Sequence, residues 1–230
     1  MLPPDLRSAE AEALAAIQAA LAGGAKGLWN VELRFEGLRL LPVVLRLQAA
    51  LKPSLSGLRL LFPDAGATAL AQRDAPEMAA EIASLRDQMR LQQADGGSHG
   101  VLLLASPSPA DYEEVEQVCA LHRGAVVLVN GNLEDAAVGI GSVARQRRKG
   151  FLAGWQSAYA LIPTAEGALR KASPGPWELY RRDSDGHRFV SQFDHRPDAE
   201  EQALALAGGA GLGLGGNLKA MDAFIEGLRN

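Results

Sequence analysis

The chain is short of several residue types, and each shortage narrows what the protein can be. Cys119 is the only cysteine among 230 residues, so no disulfide can form within the chain. Aromatic residues make up 5% of the sequence, so alanine, leucine, valine and glycine must fill most of the core. No apolar run reaches the ~18 residues that a transmembrane helix needs.

An excess of positive charge is also missing. The chain carries 27 acidic and 23 basic residues, and a net charge of -4 argues against general binding of nucleic acid. The first residues include acids and lack the basic start and apolar centre of a secretory signal. We therefore expect a cytoplasmic protein that has at most peripheral contact with a membrane.

Hydrophobic periodicity predicts alternating helices and strands over the first two thirds of the chain. The predicted helices cover 5–21, 42–51, 64–70, 77–93, 110–122 and 142–155, and the predicted strands cover 28–35, 58–62, 101–105 and 125–129. The strands at 101–105 and 125–129 are apolar throughout, which is typical of strands covered on both faces. Alternation at 28–35 predicts a half-exposed strand at a sheet edge. This pattern predicts a mainly parallel sheet with helices on both faces.

The last third has a different pattern, which predicts that antiparallel strands extend the sheet. A strand is predicted at 157–162, and segments 177–182 and 188–193 predict a hairpin around the turn at 183–186. A short helix at 199–206 precedes a glycine-rich stretch. We expect a single α/β domain over 1–230, with a main body at 1–207 and a connector and docking helix at 208–230.

The stretch from Ala125 to Trp155 contains the densest cluster of cations in the chain, and it follows a buried strand. Ligands of parallel sheets bind beyond the carboxyl ends of the strands, and free amides at a helix start attract anions, which nearby arginine side chains hold further. The sequence therefore predicts a candidate anion site. Its residues are Asp64, Asn130, Gly139, Gly141, Ser142, Arg145 and Arg148.

Structural alternatives compete with that site. Asp64 could cap a helix, and the glycines could allow a tight turn. The arginines could form a solvated face or pair with Glu134 and Asp135. The sequence leaves these alternatives open.

No catalytic, metal or cofactor site is predicted. Cys119 lies in a helical, partly apolar context, and His122 three residues later is too weak a signal for a nucleophile–base pair. The histidines of the C-terminal hairpin do not show a metal-ligand spacing. Among the glycines at 208–217, a formal G-x-G-x-x-G match lacks the preceding strand that dinucleotide binding requires.

Five segments together resemble one known family. They are the alanine-rich first helix leading to Val31–Leu33, LLFPDAGATALAQRD at Leu60–Asp74, LVNGNL at Leu128–Leu133, Val138–Gly141 with Arg145, and Pro174–Trp177. In this order they resemble an uncharacterised α/β domain family found mainly in cyanobacteria and plastids. That family includes a plastid protein named for low photosystem II accumulation and a domain appended to a chloroplast adenylate kinase. Gly131 departs from the pattern, in which a bulkier residue, often proline, is expected.

The resemblance implies a photosynthetic organism and a role near photosystem biogenesis, without any catalytic residue to carry over. The first hypothesis is a non-enzymatic accessory protein that binds photosystem II assembly proteins, at the thylakoid surface. The second is a binder or converter of a phosphorylated metabolite or nucleotide at the carboxyl edge of the sheet, with Arg145 or Arg148 on the phosphate. A dimerising scaffold is the third possibility, for which no sequence feature identifies an interface.

Overall fold

The computed structural model of the protein describes residues 1–23, 26–134 and 150–208. Its helices are α1 (Leu6–Leu21), α2 (Leu40–Leu51), α3 (Ala65–Asp74), α4 (Leu85–Asp95), α5 (Tyr112–Leu121) and α6 (Ala199–Gly208). Its strands are β1 (Leu28–Leu33), β2 (Leu58–Phe62), β3 (Ile82–Ser84), β4 (Val101–Ala105), β5 (Ala125–Val129), β6 (Trp155–Pro163), β7 (Gly167–Ala172), β8 (Trp177–Asp183) and β9 (Gly186–Phe193). The fold is mixed α/β, as predicted.

Two compact units divide the chain. The larger contains Pro3–Ile162 and Lys171–Gly175, and the smaller contains Met1–Leu2, Pro163–Arg170 and the chain from Pro176 onwards. The single α/β domain expected over 1–230 stays a prediction. The predicted connector and docking helix fall almost wholly outside the described residues.

The larger unit carries the parallel part of the sheet, with strand order β3-β2-β4-β5-β1-β6. All five neighbouring pairs in this order are parallel. Leu102, Leu104 and Val126 pack with α5 in one buried cluster. The alternate residues Leu103 and Val127 point to the opposite face and are also fully buried. Both faces are therefore covered by helices, and α2 contacts β2 and β4.

Local signals explain where several helices begin. The carboxylate of Asp5 accepts a hydrogen bond from the Ser8 amide at 2.7 Å, and that of Asp64 accepts one from the Ala67 amide at 2.8 Å. Each satisfies a free N–H of the first turn. Asp64 therefore has the capping role that was left open above as the alternative to an anion site.

The predicted helix over 77–93 is confirmed only from Leu85 onwards. Pro76–Glu81 form a 3-10 helix, then β3 pairs with β2, and α4 begins only after Ser84, whose side chain caps it. Met78, Ile82 and Leu85 happen to fall at helical spacing. A three-residue buried strand cannot be distinguished from a helix turn by periodicity.

The predicted edge position of the first strand is also wrong. β1 lies between β5 and β6, at the interior of the sheet. The polar residues Asn30 and Glu32 stay half-buried on its less covered face. Alternation reports how well one face is covered, whereas the edge position depends on pairing, which the pattern does not encode.

Two further differences concern the C-terminal half. The helix predicted over 142–155 does not extend to Trp155, since Phe151–Gly154 form a 3-10 helix and Trp155 begins β6, while residues 142–149 lie outside the described residues. Phe151, Leu152 and Trp155 pack against the buried cluster that contains α5. β7 was not predicted from the sequence, because its residues Gly167–Ala172 mix small, charged and apolar side chains.

The smaller unit contains the predicted hairpin. β8 and β9 pair antiparallel from Trp177 with Phe193 to Asp183 with Gly186. On β8 of this hairpin, Glu178 Oε2 accepts hydrogen bonds from Arg170 Nη1 of β7 and from Tyr180 Oη, at 2.8 and 2.9 Å. Burial raises the pKa of Glu178, but these hydrogen bonds outweigh it and hold the pKa below its ordinary value.

Candidate functional site

Two residues with left-handed backbones lie side by side at the carboxyl edge of the parallel strands. Ser106 follows β4 with φ 50°, and Asn130 follows β5 with φ 52°. Within the described ranges they are the two non-glycine residues with positive φ. Such conformations are uncommon outside glycine, and they cluster where a site constrains the backbone.

The side chain of Asn130 joins β5 to β1. Its Oδ1 accepts a hydrogen bond from the Leu33 amide at 2.6 Å, and its Nδ2 donates to the Leu33 carbonyl at 2.8 Å. Its own amide donates to the Val31 carbonyl at 2.8 Å. Asparagine tolerates the left-handed region well. Asn130 therefore turns the chain after β5 and also holds the end of β1 through its side chain.

The loops that follow β4 and β5 are tied together by backbone hydrogen bonds. The Ser106 amide donates to the Val129 carbonyl and the Asn132 amide donates to the Pro107 carbonyl, both at 2.8 Å. The side chain of Ser106 is exposed. The edge is therefore rigid in its backbone and presents a hydroxyl to the surface.

A cleft of about 430 Å³ opens at this edge. Ser106 and Asn130 border it together with the segment after β1, which supplies Arg34, Phe35 and Glu36. We call it the carboxyl-edge cleft. Its volume lies within the range of small-molecule sites, roughly 300–1,000 Å³.

The residues after β1 bring an aromatic ring and two charges to the carboxyl-edge cleft. Phe35 is 36% exposed. A turn shapes this segment, because the Leu38 amide donates to the Phe35 carbonyl at 3.2 Å and Gly37 adopts φ 71°. Arg34 donates from Nη2 to the Gly131 carbonyl at 3.2 Å, which links the two sides of the cleft.

Gly131 suits this arrangement. A Cβ there would lie 2.6 Å from Cγ of Leu128, so a larger residue would displace that buried side chain. The departure from the family pattern noted above therefore has a local packing reason in this chain.

The structure accounts for only part of the predicted anion site. Asn130 borders the carboxyl-edge cleft, with its amide engaged by Leu33. Asp64 is exposed at the end of β2 and caps α3, and it does not border that cleft. Since β4 separates β2 from β5, the two residues lie about two strand spacings, or ~10 Å, apart. Gly139, Gly141, Ser142, Arg145 and Arg148 lie outside the described residues, so the full site stays a prediction.

Sequence reasoning missed Arg34, Phe35 and Glu36 as cleft residues. It treated Arg34 and Phe35 as part of the strand, which ends at Leu33. The Glu36-Gly37 pair was the available signal, because glycine at the third position of a turn breaks a strand.

Cys119 is part of the core rather than of a site. Its side chain is 4% exposed and packs in the cluster that includes Val115 and Val126. Burial raises the pKa of its thiol to about 12, so the reactive thiolate does not form at neutral pH.

His122 lies at the opposite, amino edge of the sheet and is fully buried. Its Nδ1 lies 2.8 Å from Ser98 Oγ and its Nε2 lies 3.2 Å from the Gly100 carbonyl. Burial lowers its pKa below the ordinary value, against the hydrogen bonds to Gly100 and Ala125, which raise it. The imidazole is therefore a neutral structural link between the starts of β4 and β5.

This link predicts a pH-dependent stability. Because the folded-state pKa of His122 lies below 6.5, the unfolded chain binds that proton more tightly. The contribution of His122 is thus complete above pH 6.5 and is lost as the pH falls through the folded-state pKa. The free energy of unfolding in urea should therefore fall as the pH is lowered from 7 to 5. His122→Gln should flatten this slope, and the exposed His187→Gln should retain it. An unchanged slope in His122→Gln would contradict the assignment.

The described residues contain no group of three or more histidine, cysteine, aspartate or glutamate side chains placed to hold a metal ion. None of the helices in that part of the chain is long and apolar enough to cross a membrane.

Comparison with known proteins identifies the family. The model of the family described as a domain of unknown function, DUF1995, matches residues 3–204. The match covers most of the chain, so the protein belongs to this family. No curated protein matches the sequence.

Proposed function

We propose that this member of the DUF1995 family is a non-enzymatic accessory protein that binds a partner protein through the carboxyl-edge cleft. The observation that carries the proposal is the exposed ring of Phe35 between Arg34 and Glu36, at the mouth of that cleft. Binding energy at protein interfaces concentrates in aromatic and arginine side chains that enter pockets. Flanking charges of both signs supply orientation and specificity.

Rigidity of the cleft supports the same proposal. The amide of Asn130 and the backbone bonds after β4 and β5 hold its floor, and Arg34 links its two sides. A surface that is ordered before binding loses little conformational entropy when a partner docks. The polar groups that fix this floor are already hydrogen-bonded within the protein. A partner would therefore contact the side chains at the rim of the cleft.

The biological setting of the proposal comes from the resemblance described above. As that resemblance implies, this part of the proposal is that the organism is photosynthetic and that the partners are photosystem II assembly or maintenance proteins at the thylakoid surface. This part is an argument by family association, since fold alone does not determine function.

Co-purification with matched variants tests the proposal. The purified protein is immobilised and exposed to detergent-solubilised photosynthetic membranes, with Phe35→Ser and Leu121→Ser as variants. Leu121 is 39% exposed, close to the value for Phe35, but lies at the far end of α5. We expect the wild type and Leu121→Ser to recover photosystem II assembly proteins. Phe35→Ser should recover at least tenfold less, since an aromatic anchor contributes ~2 kcal/mol or more.

Two outcomes would contradict the proposal. Recovery of the same proteins by Phe35→Ser would show that the carboxyl-edge cleft is not the binding surface. Recovery of no photosynthetic or membrane protein by the wild type would contradict the proposed photosynthetic setting. Thermal unfolding of each variant verifies that it is folded.

A phosphorylated metabolite or nucleotide is the second candidate for the same edge. Arg34 and the exposed Ser106 border one cleft of suitable volume, and a guanidinium with a hydroxyl is a common phosphate-binding pair. The proposed contacts of Arg145 and Arg148 with phosphate belong to this candidate.

Thermal-shift assays with phosphate, ATP, ADP, sugar phosphates and Mg²⁺ at matched ionic strength test the second candidate. A ligand at ~100 times its Kd adds about 2.7 kcal/mol, which raises Tm by several degrees. Arg34→Gln and Arg145→Ala should abolish the shift, while the exposed Arg73→Gln should keep it. A shift that survives the first two substitutions would place the ligand elsewhere.

A further inference from the structure

A second cleft, of about 490 Å³, lies at the opposite edge of the sheet. It is bordered by the residues before β2, β3, β4 and β5 and by one side of α4. We call it the amino-edge cleft. Its wall includes Arg59, Glu81, Gln88, Asp95, Gly97 and Arg123.

Gln88 is the most unusual residue of this wall. Its side chain is fully buried, yet neither amide atom has a hydrogen-bond partner among the described residues. An unsatisfied buried polar group costs ~1–3 kcal/mol, and native proteins contain few of them. A buried amide that borders a cleft therefore indicates a group that something entering the cleft can satisfy.

Two charged residues of the same wall each have a buried polar atom without a hydrogen-bond partner among the described residues. Arg59 Nε and Glu81 Oε2 are buried without a partner in the described chain, although Glu81 Oε1 accepts from Lys52 Nζ at 2.8 Å. That bond, chiefly, and the nearby Arg59 lower the pKa of Glu81, so the carboxylate is ionised at neutral pH. The wall thus offers a positive, a negative and a neutral amide group together.

One other feature of the described wall narrows the class of ligand. The described wall carries no phenylalanine, tyrosine or tryptophan, whereas sites for nucleobases commonly use aromatic stacking. The wall suits a small, doubly charged molecule better than a nucleotide.

We propose that the amino-edge cleft binds a small zwitterionic metabolite of the α-amino acid class. Its carboxylate pairs with Arg59 and Arg123, and its ammonium group pairs with Glu81 and Asp95. The amide of Gln88 supplies one donor and one acceptor to the bound molecule. These pairs of opposite charge fix the orientation of the ligand in the cleft, because they form charge-assisted hydrogen bonds.

Isothermal titration of the full chain with glycine, L-alanine, L-glutamate and L-glutamine tests the proposal, together with two matched variants. Gln88→Leu removes the amide at nearly constant volume. Gln48→Leu is the control, because Gln48 on α2 is equally buried and has no hydrogen-bond partner among the described residues, but does not border this cleft. Both variants should fold with unchanged or raised Tm, since each replaces an unsatisfied polar group with an apolar one.

We expect at least one of the four amino acids to bind the wild type and Gln48→Leu with equal affinity. Its Kd should rise at least tenfold in Gln88→Leu and in Arg59→Gln. Failure of all four amino acids to bind would overturn the proposal. So would binding that survives both Gln88→Leu and Arg59→Gln.

Discussion

Replacement of Asn130 by alanine is expected to lower the free energy of unfolding by about 3 kcal/mol. The substitution leaves the amide and carbonyl of the fully buried Leu33 without their partner, at 2.6 and 2.8 Å in the native chain. It also places a residue that tolerates φ 52° less well at a left-handed position. In thermal unfolding, this corresponds to a fall in Tm of roughly 6–12 °C for a chain of this size.

Two further variants separate the causes of that loss. Asn130→Gly keeps the left-handed backbone and removes only the two hydrogen bonds, so its loss should be smaller than that of the alanine variant. Asn132→Ala is the matched control, since Asn132 is exposed and should change stability by less than ~0.5 kcal/mol. If Asn130→Ala were as stable as Asn132→Ala, Asn130 would not be clamping β1 to β5.

Gly124→Ala is expected to be at least as damaging, at about 3–5 kcal/mol. A Cβ at this position would lie 1.8 Å from the Gly100 carbonyl oxygen and 2.9 Å from His122 Nε2. The obstacle is backbone, which cannot swing aside as a flexible side chain can. The starts of β4 and β5 would have to separate, and the buried link through His122 would break with them.

Gly23→Ala provides the comparison for that result. No heavy atom lies within 4 Å of a Cβ built there, so this variant should be neutral or up to ~1 kcal/mol more stable. Urea unfolding of the two variants gives both values. Equal stability of Gly124→Ala and Gly23→Ala would mean that the strand starts are not packed as closely as described.

The parallel strands could be predicted because their sequences leave little choice. Five consecutive apolar residues between turn signals, as at Val101–Ala105 and Ala125–Val129, are typical of strands with both faces covered. Asp5 and Asp64 likewise fix helix starts through a local hydrogen bond. These signals depend on residues that are neighbours in the sequence, so they can be recognised without a structure.

Features that depend on distant partners could not be predicted. Whether β1 is an edge or a central strand depends on its pairing with β5 and β6. The short β3 exists because it pairs with β2, whereas its own three residues fit a helix equally well.

The candidate site shows the same division. Its edge and Asn130 could be located from the order of strands, but the engagement of the Asn130 amide with Leu33 is a contact over 97 residues. Arg34 and Phe35 could not be recognised as cleft residues, because the alternating pattern assigned both to the predicted strand over 28–35. Gln88 reads as an ordinary helix residue, and only its burial beside a cleft distinguishes it.

Site-specific cross-linking tests the proposed interface most directly. A photoreactive phenylalanine analogue placed at position 35 lies at the mouth of the carboxyl-edge cleft, and the same analogue at position 121 is the control. After illumination with solubilised photosynthetic membranes, we predict a discrete cross-linked partner at position 35 that is missing at position 121. The same products at both positions, or none at position 35, would contradict partner binding through this cleft.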